Sequence, residues 1–178
     1  MTGLAASGSR VFASGYGGMH RSLDGGVSWV PVNSGLSNPI LAANYTGVFA
    51  GTGDGVFRSG DEGVTWTPAN NGLTNTNVLA LAADRTSVFV ATGAGVYRST
   101  DTGASWKLAD NAFVRVLTVG GRSVFAGTFY GEVLRSDDDG VTWTEVSSAV
   151  GSQFVVALAA GDRSLFAGTL GSSVWRYR

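Results

Sequence analysis

The stretch RSTDTGASW, Arg98 to Trp106, sets a serine, an aspartate, a glycine and a tryptophan in the spacing S-x-D-x-G-x-x-W. A serine two residues from an aspartate invites a catalytic reading. The chain then repeats the spacing: RSLDGGVSW ends at Trp29, RSGDEGVTW at Trp66 and RSDDDGVTW at Trp143. Four equivalent copies are what a repeated structural unit produces, and a single catalytic centre does not.

Working outward from these boxes, other landmarks keep the same register. The tryptophans are 37, 40 and 37 residues apart. Phenylalanines recur at Phe12, Phe49, Phe89, Phe125 and Phe166, each with a leucine eight residues earlier: Leu4, Leu41, Leu81, Leu117 and Leu158. An arginine follows each phenylalanine by nine or ten residues: Arg21, Arg58, Arg98, Arg135 and Arg176. There are thus five repeats, of which four carry the box.

One repeat reads as four short strands. LALAA (79–83) is apolar and small, SVFVAT (87–92) is β-branched and aromatic, GVYRS (95–99) follows a glycine turn, and a fourth strand starts at Trp106. No window has helical periodicity. Four antiparallel strands in about 40 residues match a propeller blade better than a β-helix coil. The expected fold is all-β, a β-propeller of five blades in one domain, at about residues 2–33, 38–70, 77–110, 113–147 and 153–178. The last blade lacks a tryptophan-led strand and is expected to be three-stranded, in a ring closed within the chain. Its open C-terminal edge, SSVWRYR, is a template for weak homo-oligomerisation.

The box then has a physical reading at the hairpin between third and fourth strands. Asp24, Asp61, Asp101 and Asp138 can accept backbone N–H groups just beyond them. Gly26, Gly63, Gly103 and Gly140 supply positive φ. Ser22, Ser59, Ser99 and Ser136 hold the opposite side of the turn, and Trp29, Trp66, Trp106 and Trp143 bury apolar area.

Composition narrows the functions. In 178 residues there are 27 glycines, 3 prolines and no cysteine, and 12 basic residues balance 13 acidic ones. The net charge of −1 gives no pull toward nucleic acid or an anionic membrane. Without cysteine there is no disulfide or thiolate chemistry. The start, MTGLAASGSR, has no signal-peptide pattern, and no apolar run is long enough for a membrane helix. No cofactor and no metal site is expected.

The repeated S-x-D-x-G-x-x-W at blade spacing resembles the Asp-box, or BNR, repeat. That repeat occurs in sialidase-like propellers, sortilin-type receptors, xyloglucan-degrading endoglucanases and photosystem II assembly factors. The resemblance covers essentially the whole chain and implies a propeller with its boxes at the blade periphery, away from the binding centre. It also implies an extracytoplasmic or secreted setting. It does not carry an activity. The sialidase pattern needs an R-I-P-like motif, and none of Pro31, Pro39 and Pro68 follows an Arg-x pair. A glycosidase needs two carboxylates in a cleft. Setting aside acids in or beside the boxes and in the turn of Asp84 and Asp162, only Asp54, Asp110 and Glu132 remain for the opposite face. The sole histidine, His20, reads as a partly buried strand residue.

The expected function is therefore non-enzymatic: binding of a protein or glycan through the loop face opposite the boxes. The alternative is a glycosidase-like propeller, or a fragment of a larger carbohydrate-active enzyme. Sites are sought where equivalent positions differ. Tyr16, Phe129 and Tyr130 are unshared loop aromatics, with Asp54 and Glu132 beside them. Amides, among them Asn33, Asn38, Asn75 and Gln153, crowd the connections between blades, where turn formation is the competing role. Arg115 is the one charge within an innermost strand, where other repeats have Thr2, Pro39, Leu79 and Val156. It is placed either to reach the central channel and attract an anion or to satisfy a local hydrogen bond. The five repeated arginines read as edge or inter-blade packing residues. Arg10, Arg85, Arg122 and Arg163 form a rim that Asp84 and Asp162 neutralise.

Overall fold

Alternating side chains give each repeat two apolar faces, and those faces decide the architecture. The computed structural model describes residues 3–16, 18–32, 35–146, 154–161, 164–171 and 174–177. Asn33, Gln153, Asp162 and Arg163, like Thr2, lie outside these residues. Among the described residues every regular element is a strand.

Blade 1 comprises β1 (Gly3–Ser7), β2 (Arg10–Gly15), β3 (Gly18–Ser22) and β4 (Val30–Val32). Blade 2 has β5 (Ile40–Asn44), β6 (Gly47–Thr52), β7 (Gly55–Ser59) and β8 (Thr67–Pro68). Blade 3 has β9 (Val78–Ala83), β10 (Val88–Thr92), β11 (Gly95–Ser99) and β12 (Lys107–Asp110). Blade 4 has β13 (Val114–Gly120), β14 (Ser123–Thr128), β15 (Val133–Ser136) and β16 (Thr144–Glu145). Blade 5 has β17 (Val155–Ala160), β18 (Leu165–Thr169) and β19 (Val174–Tyr177), and is three-stranded as expected. Within each sheet the order follows the chain and neighbours are antiparallel. Pro31 and Pro68 sit in the outermost strands β4 and β8, where a missing N–H is tolerated.

Register puts the landmarks on opposite faces. In blade 3, Leu81 pairs with Val90 and Val90 with Tyr97, while Ala82, Phe89 and Arg98 line up across the other face. The same holds for Leu4, Ala13 and His20 against Ala5, Phe12 and Arg21 in blade 1. Each core is made where the phenylalanine face of one blade meets the leucine face of the next. Phe12 and Ala5 pack with Leu41, Val48 and Ala50. Phe49, Ala42 and Val56 pack with Leu81, Val88, Val90 and Trp106. Phe89 and Val96 pack with Leu117 and Val124, and Phe125 and Val133 with Leu158 and Leu165.

Among the described residues the five blades make four cores, and the expected closed ring is not observed. The packing of innermost strands runs β1–β5–β9–β13–β17, and no described strand of blade 5 makes substantial contact with one of blade 1. The exposures agree. Leu4 is 71% exposed where Leu41 is 6%, and Phe166 is 42% exposed where Phe12, Phe49 and Phe89 are at 0%. His20, expected to be partly buried, is exposed, because it lies on the same uncovered leucine face of blade 1. The box tryptophans also lie on leucine faces, so they are unequal. Trp106 is 4% exposed against blade 2, and Trp29, on the uncovered face of blade 1, is 41% exposed.

The box geometry follows the sequence reading and extends it. In the third box the Ser99 hydroxyl accepts the Gly103 N–H at 2.8 Å and donates to Asp101 Oδ1 at 2.7 Å. Asp101 also accepts the backbone N–H of Ser105 at 2.9 Å and its hydroxyl at 2.5 Å. The other three boxes repeat this with Ser28, Thr65 and Thr142 in the place of Ser105. The residue before the box glycine takes positive φ even when it is not glycine: Glu62 at 60°, Thr102 at 61° and Asp139 at 62°.

Two of the repeated arginines reach that positive-φ residue in the next blade. Arg21 of blade 1 donates to the Glu62 carbonyl of blade 2 at 2.8 Å, and Arg98 of blade 3 is ion-paired with Asp139 of blade 4. Arg135 pairs instead with Asp137 of its own blade at 2.8 Å and lies over Phe125. Glycine at the inner end of the second strand lets blades close up. A Cβ on Gly51 would collide with Val78, and one on Gly127 with Val155.

Candidate functional site

The hairpin between β14 and β15 is the loop that departs most from the repeat. Thr128 folds it, accepting through Oγ1 from the backbone N–H groups of Tyr130 and Glu132, both at 3.1 Å, while its own N–H reaches the Glu132 carbonyl at 2.9 Å. Gly131 completes the turn with φ 91°. This closure projects Phe129 toward the connections on either side. The Phe129 N–H donates to the Phe113 carbonyl at 3.1 Å, and the two rings stack with centroids 4.2 Å apart. Phe154, just before β17, meets the Phe129 ring edge-on at 6.0 Å. Three rings from two blade connections and one hairpin therefore form a continuous aromatic surface.

Arg115 projects from β13 beside it, its guanidinium carbon 5.4 Å from the Phe129 ring centre. That distance is within reach of a cation–π attraction, which orients the side chain without neutralising it. Arg115 and Phe129 border a cavity of about 420 Å³ formed by the innermost strands. Ile40, Val78 to Leu81, Val116, Leu117 and Val156 supply its apolar wall, and among the described residues Arg115 is the only charged one in the lining. Among the described residues the ion pairs are Arg98–Asp139 and Arg135–Asp137, so the Arg115 charge has no carboxylate partner. An apolar cavity with a single oriented cation at its edge is chemically suited to a ligand that carries an anionic group beside apolar substance.

All of the solved structures named below resemble this chain at low sequence identity. A GH74 enzyme of Niastella koreensis superposes with a TM-score of 0.72 at 18% identity, covering 98% of this chain and 29% of that one. YCF48 from Cyanidioschyzon merolae gives 0.66 at 15% identity, covering 97% and 67%. A structure of the nidogen–laminin complex gives 0.76 at 12% identity, covering 98% and 74%. With the successive four-stranded blades packed face to face, these likenesses decide the architecture.

The fold is a β-propeller.

This propeller chain spans less than a third of the GH74 enzyme and about two thirds of the YCF48 chain. No protein-family model matches the sequence, and no curated protein does.

Of the other sequence candidates, Tyr130 is exposed beside Phe129, and Glu132 closes the hairpin, its Oε2 accepting from the Thr128 hydroxyl at 3.3 Å. Tyr16 and Asp54 stand exposed in the equivalent hairpins of blades 1 and 2, outside the cavity lining. Asn38 adopts positive φ at 48°, and Asn75 accepts from the Asn77 N–H at 2.9 Å. Both are in turn geometry and neither lines the cavity. Asp110 accepts from the Ala112 N–H at 2.7 Å, so it caps a turn as well.

Phe113 and Phe154 were not among the sequence candidates. A signal existed: both stand four residues before the repeated leucine, in FVRVL and FVVAL, where other repeats have Ser37 and Asn77.

The box aspartates lie elsewhere and are tuned for structure. The Thr65 backbone N–H holds Asp61 down to about 2, and the Ser105 and Thr142 hydroxyls do the same for Asp101 and Asp138. Asp24 is also lowered, chiefly by the Ser28 hydroxyl. In each case hydrogen bonds to the ionised form are responsible. On the box side Asp84, Arg85, Arg122 and Asp137 to Asp139 share one cleft, a mixture of charges as the sequence implied.

Proposed function

We propose that this propeller is a non-enzymatic binding module that captures a protein segment, an apolar peptide stretch carrying a carboxylate, at the cavity along its innermost strands. The observation that carries the reading is Arg115, an unpaired cation held over Phe129 at the edge of an apolar cavity. A carboxylate would gain an oriented partner there, and adjacent apolar side chains would meet Ile40, Leu79 and Leu117. Phe113, Phe129 and Phe154 extend the surface for further contact. The four boxes are Asp-box repeats in this reading, structural and remote from the ligand. The likenesses are compatible with it: one solved neighbour is YCF48 bound to D1 peptide, at a TM-score of 0.67 and 14% identity, and another is nidogen in complex with laminin.

A second reading has the aromatic surface stacking on sugar rings, in keeping with the GH74 neighbours. Among the described residues the cavity lining has no carboxylate pair to support hydrolysis, and its cation beside an apolar wall suits an acidic, apolar peptide better than a neutral sugar. The test is a random-peptide array and a glycan array probed with the wild-type chain and with Arg115→Gln. Acidic, apolar peptides retained by wild type and lost by the variant are expected. Equal retention by both, or binding to glycans alone, would refute the proposal.

A further inference from the structure

The two ends of the blade series carry apolar faces of opposite kind. Blade 1 exposes its leucine face, with Leu4, His20 and Trp29 uncovered. Blade 5 exposes its phenylalanine face, with Ala159, Phe166 and Val174 uncovered, Val174 at 75%. In all four internal cores it is a phenylalanine face that packs on a leucine face. We propose that a second copy of this chain supplies the missing neighbour: the phenylalanine face of blade 5 in one copy packs on the leucine face of blade 1 in the other.

Continuity with the internal interfaces argues for this occupant. Phe166 occupies the register position of Phe12, Phe49 and Phe89, whose rings are buried against Val48, Val88 and Val124 of the following blade. Val11 is the corresponding residue of blade 1. The polar seam continues too. Arg176 stands on the phenylalanine face of blade 5 in the position of Arg21 and Arg98. Those two reach the residue before the box glycine in the next blade, at Glu62 and Asp139. The same position in blade 1 is Gly25, and Arg21 shows that a backbone carbonyl suffices as acceptor. Within its own chain Arg176 reaches only Ser164 among the described residues, with its guanidinium over Phe166. Apolar complementarity and an arginine awaiting a box therefore point to the same docking geometry.

The contact is heterologous, because each copy offers one face of each kind. It also differs from edge pairing along β19, since it uses the faces of the sheets. These properties make a mixing experiment decisive. Sedimentation analysis of the wild-type chain over a concentration series should show reversible association. Leu4→Glu and Phe166→Glu should each be monomeric alone, because each lacks one of the two faces. An equimolar mixture should form a one-to-one dimer and nothing larger, since one intact interface remains. Both side chains are exposed, so the circular dichroism of the variants should match wild type. If either fails to fold, His20→Glu and Val174→Glu probe the same two faces with the same expected pattern.

A wild-type chain that stays monomeric throughout would overturn the proposal and leave the faces to other blades or another protein. Self-association of either variant alone would also overturn it, in favour of edge pairing or like-with-like packing. A mixture that remains monomeric would do the same.

Discussion

Replacing Trp106 and Trp29 by alanine compares one box position in a covered and an uncovered blade. Trp106 is 4% exposed, its indole N–H donates to the Ala69 carbonyl at 2.7 Å, and it packs in the core between blades 2 and 3. A buried tryptophan removes about 200 Å² from water, or about 5 kcal/mol at about 25 cal/mol per Å². Alanine keeps a small part of that area, while a cavity and a lost hydrogen bond add to the cost. The expected loss is about 4 to 5 kcal/mol. Trp29 is 41% exposed against 4% for Trp106, so about two fifths less area is at stake, and an open face leaves no enclosed cavity. Its loss should be about 2 to 3 kcal/mol. Urea denaturation followed by far-UV circular dichroism, at concentrations where wild type is monomeric, measures both. A Trp29→Ala variant as destabilised as Trp106→Ala would refute the reasoning, because it would mean that blade 1 has a covering neighbour in the monomer.

Two further outcomes follow from the boxes and the blade contacts. Box aspartates lowered to about 2 from 3.8 contribute stability that is complete above pH 4 and lost as pH falls toward 2. The urea midpoint should therefore drop across that window, and less steeply in an Asp61→Asn, Asp138→Asn double variant; an unchanged slope would count against the hydrogen-bond account. Gly127→Val places a branched side chain against Val155 and Val116 of a closely packed core. It should cost about 1 to 3 kcal/mol by overpacking, while the same change at exposed Gly60, which has open space around its Cα, should cost less in the same denaturation assay.

The repeat was legible because one turn chemistry is written four times and one strand pattern five times. Serine and aspartate hold the same hairpin in each box, while the tryptophans differ, Trp106 being buried and Trp29 uncovered. What the pattern did not disclose is where the blade series opens. Leu4 and Phe166 are the same residue types at the same repeat positions as Leu41 and Phe89, so periodicity alone assigns them the same burial. His20 was the local clue, a polar ring where other repeats have Phe57, Tyr97 or Leu134, and its placement follows from the uncovered face.

The candidate site was partly legible, through departures from the repeat. Arg115 and Phe129 break the pattern and do meet at the cavity. Phe113 and Phe154 escaped notice because an aromatic before an apolar strand looks like ordinary core. Asn38 and Asn75 satisfied the opposite test: they differ between repeats, yet they serve turns.

The division of labour between the boxes and the cavity along the innermost strands is the central claim, and one paired titration tests it. The tightest peptide from the array would be titrated calorimetrically into wild type, Asp101→Asn and Arg115→Gln, with the urea midpoint of each measured alongside. The account predicts that Asp101→Asn lowers the midpoint and leaves peptide affinity unchanged. Arg115→Gln should leave the midpoint unchanged and weaken binding tenfold or more, the scale expected for about 1.4 kcal/mol from a charge-assisted contact. Binding that falls with Asp101→Asn in folded protein, and survives Arg115→Gln, would contradict it.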